Sequence, residues 1–411
     1  MYKRILILLL FSQVLFWGGC SGKQSGNTLA KQAVIDRTDS CQLSPQHTYQ
    51  IFIPAVDKSC TNWPVMILID PHGDGKYAIE QFKEAAKKYP VILVASNLIK
   101  NNYSGYIQSI DELIADVKSK YPVGNTIYIS GFSGGARMAI DYATNHRVNG
   151  IIACGALAQH EQITAVRCPL MAIVGLDDFN FIEAAQYVVD PLSIPQNLLI
   201  ELTNASHSWP EKGLLTRAMG YLQLSSGESN TCFSTKSLVK AYVAEQKSCI
   251  DSFIRSKEAL KAAMVARNMA ISKTFEKSSS FQPIYAKLIE GNECIQQQEK
   301  LSVSLRFENE VRQAYFKALH QKDSLWWRNE ITSLNSKIES EPNLYSQMAF
   351  RRIKGFLGIV CYSLSNQYVA GKDTEKLEQI LAVYRMVEPN NADMLNFSAA
   401  LEKMKGSTKR K

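Results

Sequence analysis

Ile127-Tyr128-Ile129-Ser130-Gly131-Phe132-Ser133-Gly134-Gly135-Ala136-Arg137-Met138-Ala139-Ile140 is the stretch whose reading decides the fold. Its first residues are β-branched and aromatic, as a buried strand requires, and its last residues are mostly good helix formers. Between them stands a Gly-x-Ser-x-Gly element, Gly131-Phe132-Ser133-Gly134-Gly135. Glycines on both sides of the serine let strand and helix backbones pass nearly in contact, so the chain reverses sharply and Ser133 is pushed to the tip of the turn. The N-terminus of the helix that follows favours negative charge at the same spot. Chance alone places such a pentapeptide in roughly one chain in seven of this length. The strand and helix patterns on either side therefore carry the inference.

Working outward, six more short apolar runs have the same strand character: Tyr49–Ile53, Val65–Asp70, Val91–Ser96, Gly150–Cys154, Leu170–Val174 and Leu198–Leu202, with Thr126–Ser130 as the one already described. Each ends near Gly, Pro, Asn or Asp. Helix-length segments lie between them, among them Ile79–Tyr89, Ile107–Tyr121 and Ala136–Asn145. This alternation predicts a mostly parallel sheet with helices on both faces, and ligands outside the carboxyl ends of its strands. Two further chemical groups follow strand ends. Gly175-Leu176-Asp177-Asp178 comes after Leu170–Val174, and His207-Ser208-Trp209-Pro210 comes soon after Leu198–Leu202. Chain order is thus Ser, Asp, His. A serine hydroxyl is a poor nucleophile until an imidazole takes its proton, and a carboxylate fixes the imidazole tautomer and stabilises the imidazolium.

Residues from about 46 to 222 resemble an α/β-hydrolase, closest to the serine esterases that include polyhydroxybutyrate depolymerase-like and feruloyl esterase-like enzymes. The resemblance rests on His72-Gly73, Gly131-Phe132-Ser133-Gly134-Gly135 and His207-Ser208-Trp209-Pro210. It implies Ser133 as nucleophile, His207 as base, and an acid three residues after Gly175, which is Asp178, with Asp177 as the alternative. It also implies two oxyanion donors, the N–H of Gly134 and that of Asp74. A carboxylate at Asp74 would oppose an oxyanion unless it points away. His72, Lys76 and Trp209 are candidate substrate-subsite residues, Trp209 serving either as a sugar or aromatic platform or in packing. Only residues 155–169 separate Gly150–Cys154 from Leu170–Val174, so no cap domain and an open, shallow site are expected. The chemistry needs no cofactor, and no cysteine or histidine cluster has metal-ligand spacing.

The 411 residues are 46% hydrophobic and 20% charged, with 22 Gly and 13 Pro, which excludes collagen-like, disordered and multi-span membrane chains. The formal net charge is +8. It is unevenly placed: residues 1–230 carry 18 Lys+Arg against 19 Asp+Glu, and residues 231–411 carry 28 against 19. The basic half is also the one where the pattern changes. Gly becomes scarce, and apolar residues recur at helical spacing, as at Leu238, Tyr242 and Val243 or Phe356, Leu357, Val360 and Leu364. Helical stretches meet at Gly371-Lys372-Asp373, and another begins after Pro389. That layout, with Leu364, Tyr368, Leu381 and Pro389, resembles tetratricopeptide helix pairs near 346–406, with Ser365 where a smaller Gly is usual; a generic helical bundle fits the pattern as well. No basic cluster with interleaved aromatics suggests nucleic-acid binding. The positive charge belongs either to a solvated helix surface or to a partner, whether a protein or an anionic envelope surface.

At the other end, Lys3 and Arg4 precede an uncharged run from Ile5 to Trp17, too short to span a bilayer. Gly18, Gly19 and Cys20 follow, and the segment resembles a bacterial lipoprotein signal with Cys20 as the lipidated residue. The expected organisation is a signal at 1–19, a polar linker at 20–41, the hydrolase domain at 42–224, a linker at 225–233 and an all-α domain at 234–411. The protein is expected in the bacterial cell envelope, lipid-anchored in the periplasm or outer membrane, acting on an ester that a polysaccharide or polymer could carry. A peptidase on the same fold and a catalytically silent adaptor remain open, because a triad does not choose between ester and amide and a fold does not guarantee activity. Eight further cysteines are compatible with bridges in an oxidising compartment, with the close pairs Cys41–Cys60 and Cys154–Cys168 as candidates.

Overall fold

A computed structural model describes residues 34–55, 62–225, 235–272, 275 and 278–408. The signal segment, Cys20, Cys60, Cys232, residues 226–233 of the linker and Lys409–Lys411 lie outside the described residues. Eight strands form one sheet: β1 (Ile35–Ser40), β2 (Thr48–Ile53), β3 (Trp63–Ile69), β4 (Ile92–Ser96), β5 (Val123–Phe132), β6 (Gly150–Cys154), β7 (Leu170–Gly175) and β8 (Leu198–Thr203). Their spatial order is β1-β2-β4-β3-β5-β6-β7-β8. β2 runs antiparallel to both neighbours, and every other pair is parallel. The helices of this half are α1 (Gly75–Lys88), α2 (Tyr106–Lys120), α3 (Gly134–Asn145), α4 (His160–Ala165), α5 (Ala185–Val189) and α6 (Lys212–Ser225). This is an α/β-hydrolase core.

Every residue of β3, β4, β6 and β7 is buried, because helices cover both faces. Successive side chains alternate between the two layers. Val65, Ile67 and Ile69 meet Ile110, Leu113, Ala139 and Ile140 of α2 and α3, while Met66 and Leu68 meet Ile79, Phe82, Leu215 and Met219 of α1 and α6. β1 lies in the stretch read as a polar linker. Its Asp36, Arg37 and Thr38 are exposed because it is the sheet edge, and charge on an edge strand discourages pairing with other chains.

The second half consists of α7 (Thr235–Arg255), α8 (Ala259–Ala270), α9 (Gln282–Ile289), α10 (Asn292–Ala318), α11 (Ser324–Ser340), α12 (Leu344–Gly371), α13 (Thr374–Val387) and α14 (Ala392–Thr408). Lys372 ends α12 in the left-handed conformation at φ 56°, and the Asp373 carboxylate accepts from the Lys376 N–H to start α13. Trp327, Ile353, Leu357, Leu377, Leu381 and Leu401 form a separate core for α11 to α14. The helices nevertheless do not stand apart from the sheet. α8 lies along the free edge of β8, where Asn268 both donates to Ile200 O at 2.9 Å and accepts from the Ile200 N–H at 3.2 Å, and Arg267 donates to Leu198 O at 2.9 Å. That edge would otherwise present unpaired backbone groups. Among the described residues no helix is long and apolar enough to cross a membrane.

The disulfide expectation is corrected. Cys41, Cys154, Cys168, Cys249, Cys294 and Cys361 are free thiols. Cys154 ends β6, whereas Cys168 precedes β7, and the strands are parallel with Ile151 opposite Leu170 and Cys154 opposite Ile173. Five residues of strand, roughly 16 Å, therefore separate the two sulfurs' positions along the sheet. A bridge needs Cα atoms within about 7 Å.

Candidate active site

Ser133 sits at φ 53° and ψ −117° between β5 and α3, a conformation unusual for a residue with a Cβ. The glycines around it make the turn possible. A Cβ on Gly131 would lie 2.3 Å from the Gly135 carbonyl carbon, and one on Gly135 would lie 2.2 Å from Ile69 O. Strand and helix thus pass in backbone contact, and the serine is forced outward, half-buried at the carboxyl edge of the sheet.

The loops after β7 and β8 bring the other two groups to it. Asp178 is 1% exposed, and both its carboxylate oxygens lie 2.9 Å from His207 Nδ1. A carboxylate only accepts, so Nδ1 carries the proton and donates it. Nε2 is then left to accept from Ser133 Oγ at 2.9 Å. The imidazole is held on its faces too, by Phe132 at 4.7 Å and Phe179 at 4.3 Å between ring centroids. The two adjacent aspartates are clearly separated. Asp177 points away, to Arg351 Nη1 at 3.0 Å, and burial lifts its carboxyl above the ordinary value against the pull of Arg351. Asp178 is the one on the histidine.

The loop after β3 is organised by Asp70, a residue with no sequence signal of its own. Its buried carboxylate accepts from the His72 N–H at 2.8 Å, from the Asp74 N–H at 3.4 Å and from Trp209 Nε1 at 3.2 Å. Burial pushes Asp70 up, but these bonds and the His72 side chain together hold it below the usual carboxylate value. Asp74 caps α1, its carboxylate accepting from the Tyr77 N–H at 2.9 Å, so its charge is spent on its own helix. Its N–H bond to Asp70 is long. Nearby, a Cβ on Gly134 would lie 1.9 Å from Asn101 Oδ1, which puts the Asn101 amide over the first turn of α3. Asn101 comes from a loop with no catalytic motif, and Asp70 from the strand end just before the His72-Gly73 pair.

Of the proposed subsite residues, Trp209 is committed to packing: it stacks on Phe132 at 5.4 Å, meets Phe82 edge-on at 6.1 Å and donates to Asp70. It joins the histidine loop to the β3 loop. His72 is 72% exposed at the rim and Lys76 is exposed beside it. Asp70, against some burial, raises His72 above its ordinary value, and Asp393 at the start of α14 adds to the effect. Gly355 of α12 packs within 3.2 Å of Phe179, measured from where its Cβ would be. No cap is inserted between strands, and α12 of the helical region packs against Phe179 beside the histidine.

A cavity of about 610 Å³ begins one helical turn beyond Ser133. Arg137, Asp141, His160, Glu161, Glu183 and Tyr106 give it a polar lining. Arg137 is paired with Glu183, which also accepts from the Leu157 N–H at 2.7 Å. Among the described residues no group of His, Cys, Asp or Glu is placed to hold a metal ion.

No protein-family model and no curated protein matches the chain. Solved structures do. Est1E from Butyrivibrio proteoclasticus is 12% identical, over 46% of this chain and 98% of that one, with a TM-score of 0.36. An α-β serine hydrolase homologue from Coxiella burnetii is 18% identical, over 46% of this chain and 95% of that one, with a TM-score of 0.34. XC6422 from Xanthomonas campestris, described as an α/β serine hydrolase without lid, is 18% identical, over 48% of this chain and 95% of that one, also at 0.34. These are likenesses of fold. The sheet order and the strand-turn-helix at Ser133 give the first half an α/β-hydrolase-like fold, and a large all-helical region follows it.

Proposed function

We propose that the protein is a serine hydrolase that cleaves carboxylic esters through Ser133, His207 and Asp178. The observation that carries the reading is the unbroken relay from Ser133 Oγ through His207 to the Asp178 carboxylate, each link 2.9 Å. Ser133 Oγ attacks the ester carbonyl as His207 Nε2 takes its proton. The negative oxygen of the tetrahedral intermediate is received by the Gly134 N–H at the start of α3 and by the Asp74 N–H, whose long bond to Asp70 leaves it available. The intermediate collapses with cleavage of the ester C–O bond, and the departing alcohol takes the proton from Nε2. Water then attacks the acyl-serine by the same route, releasing the acid and restoring Ser133. The polar cavity beside α3 suits an alcohol rich in hydroxyls, such as a saccharide carrying the ester. We place the enzyme at the cell envelope on a lipid attached to Cys20; envelope association that survives Cys20→Ala would argue against that anchor.

The test is labelling by a fluorophosphonate probe, followed by rates on short-chain, aryl and sugar esters with wild type and Ser133→Ala. Ser133-dependent labelling and turnover of at least one ester class are expected. Folded wild-type protein that neither labels nor hydrolyses would leave the adaptor reading. Cleavage of amides in preference to esters would favour a peptidase.

A further inference from the structure

The loop that carries Asp178 is held from outside the hydrolase half. Arg352 of α12 is fully buried and donates from Nη1 to Leu176 O at 2.6 Å and from Nε to Glu308 of α10 at 2.7 Å. Arg312, one turn along α10 from Glu308, donates to Phe179 O at 2.9 Å. Arg351 donates to Asp177 Oδ2 at 3.0 Å. Residues 176, 177 and 179 are thus each bonded to an arginine of the helical region, and the residue between them is the acid that faces His207. The charges are arranged to the same end. Glu308 is paired with both Arg312 and Arg352, so the two guanidinium groups carry one positive charge more than the carboxylate they share. Phe179, pressed between Gly355 and the His207 ring, completes the contact.

We infer that α10 and α12 form an arginine clamp that positions the Asp178 carboxylate, with Arg352 and Arg312 as positioning residues and Glu308 as the group that orients both. The inference deepens the hydrolase reading and rests on it for its kinetic consequence, though not for its structural one. The loop is bonded to its own half through its N–H groups, Leu176 to Thr203 O at 2.8 Å, Asp177 to Ala205 O at 3.3 Å and Asp178 to Gly175 O at 3.1 Å, while the carbonyls of residues 176 and 179 are taken by the arginines. Loss of the clamp removes the partners of those two carbonyls and loosens the loop on that side, and a misplacement of about 1 Å in a catalytic group costs on the order of 100-fold in rate. The arginines bond the loop and line none of the cavity beside α3, so KM is expected to change little.

The experiment uses the full chain with Arg352→Gln, Arg312→Gln and Arg351→Ala. Arg351 is 38% exposed, so its removal opens no core. Two quantities are read: the far-downfield proton resonance of the His207 Nδ1–H···Asp178 bond, and kcat with KM on an aryl ester. In the Arg352 and Arg312 variants the resonance is expected to broaden or vanish and kcat to fall about 100-fold, with KM within twofold. Arg351→Ala is expected to move both in the same direction, with kcat down about fivefold. If the Arg352 variant does not fold, the other two decide. Folded Arg312→Gln and Arg351→Ala proteins that keep the wild-type resonance and wild-type kcat overturn the clamp. Absence of turnover in wild type overturns the hydrolase reading instead, and the resonance still tests the clamp.

Discussion

Replacing Asp178 by Asn keeps the shape of the site and removes the charge. In the proposed mechanism His207 takes the Ser133 proton, and the resulting imidazolium would face a carboxylate with both oxygens 2.9 Å from Nδ1. With charge centres about 4 Å apart and an effective dielectric of about 20, the attraction is about 4 kcal/mol, on the order of 10³ in rate. Asparagine adds a second fault, since its amide N–H can face Nδ1 and leave the proton on Nε2, where it cannot receive one from Ser133. The combined fall in kcat is expected to be about 10⁴-fold. The fold should tolerate the change, because the backbone bond from the Asn180 N–H at 2.8 Å can still be accepted by the amide oxygen. Asp177→Asn is the internal control. Its carboxylate is engaged with Arg351 instead of the histidine, so kcat should stay within about fivefold of wild type. The assay is initial rates on an aryl ester with active sites counted by fluorophosphonate titration. An Asp178→Asn enzyme that keeps more than about a tenth of wild-type kcat would refute the electrostatic reasoning. An Asp177→Asn enzyme that falls as far would refute the assignment between the two aspartates.

Gly135→Ala drives a Cβ to 2.2 Å from Ile69 O, where only backbone could give way; a loss of about 3 kcal/mol in urea unfolding is expected, together with loss of probe labelling. Asp70 is held below its unfolded value of 3.8, so its contribution to stability is complete above about pH 4 and is lost as pH falls through its lower folded value. Asp70→Asn should therefore lower Tm at pH 7 and flatten the acid side of the Tm-against-pH curve; an unchanged acid slope would contradict this. Burial pushes the Cys168 thiol up to about 12 and the Cys154 thiol higher still. Neither should react with a maleimide in the folded protein at pH 8, and both should react on unfolding without reductant; an intact mass two hydrogens lighter would show a bridge instead. A chain ending at Ser225 should fail to give a soluble, cooperatively melting protein, because Asn268 and Arg267 no longer cover the β8 edge.

What could be read from the sequence is what depends on neighbours along the chain. The Gly131–Gly135 element, the order Ser133, Asp178, His207 and most strand positions are local patterns, and the structure places each where those patterns put it. β1 escaped because Ile-Asp-Arg-Thr-Asp-Ser has the polarity of a linker, and an edge strand has the same reason to be polar. The register of β6 against β7 decides whether Cys154 and Cys168 can meet, and no spacing along the chain contains it. Asp70 and Trp209 are 139 residues apart, and Arg352 and Leu176 are 176 apart. A buried Arg in a helix looks in sequence like any other basic residue of a solvated face, so the half that appeared merely basic held the groups that fix the acid loop.

The relation between the two halves follows from what each lacks. The sheet ends at β8 with backbone groups that need partners, and its face beside α6 is completed by Tyr242, Ile250, Val265 and Met269 of α7 and α8. The helices supply these, and their own buried charges are satisfied in return: Arg267 donates to carbonyls of residues 194, 195 and 198, and Arg352 and Arg312 donate to carbonyls of residues 176 and 179. Buried guanidinium groups left without these carbonyls would be strongly destabilising, so neither surface is suited to solvent alone. Surplus positive charge was the first mark that set the helical half apart. Three of its arginines face inward and bind backbone, so the excess open to an anionic partner is smaller than the net charge of that half suggests. Exposed lysines and arginines remain on the outer faces of α7 and of α10 to α14, away from the clamp, and an anionic partner would have to be met there.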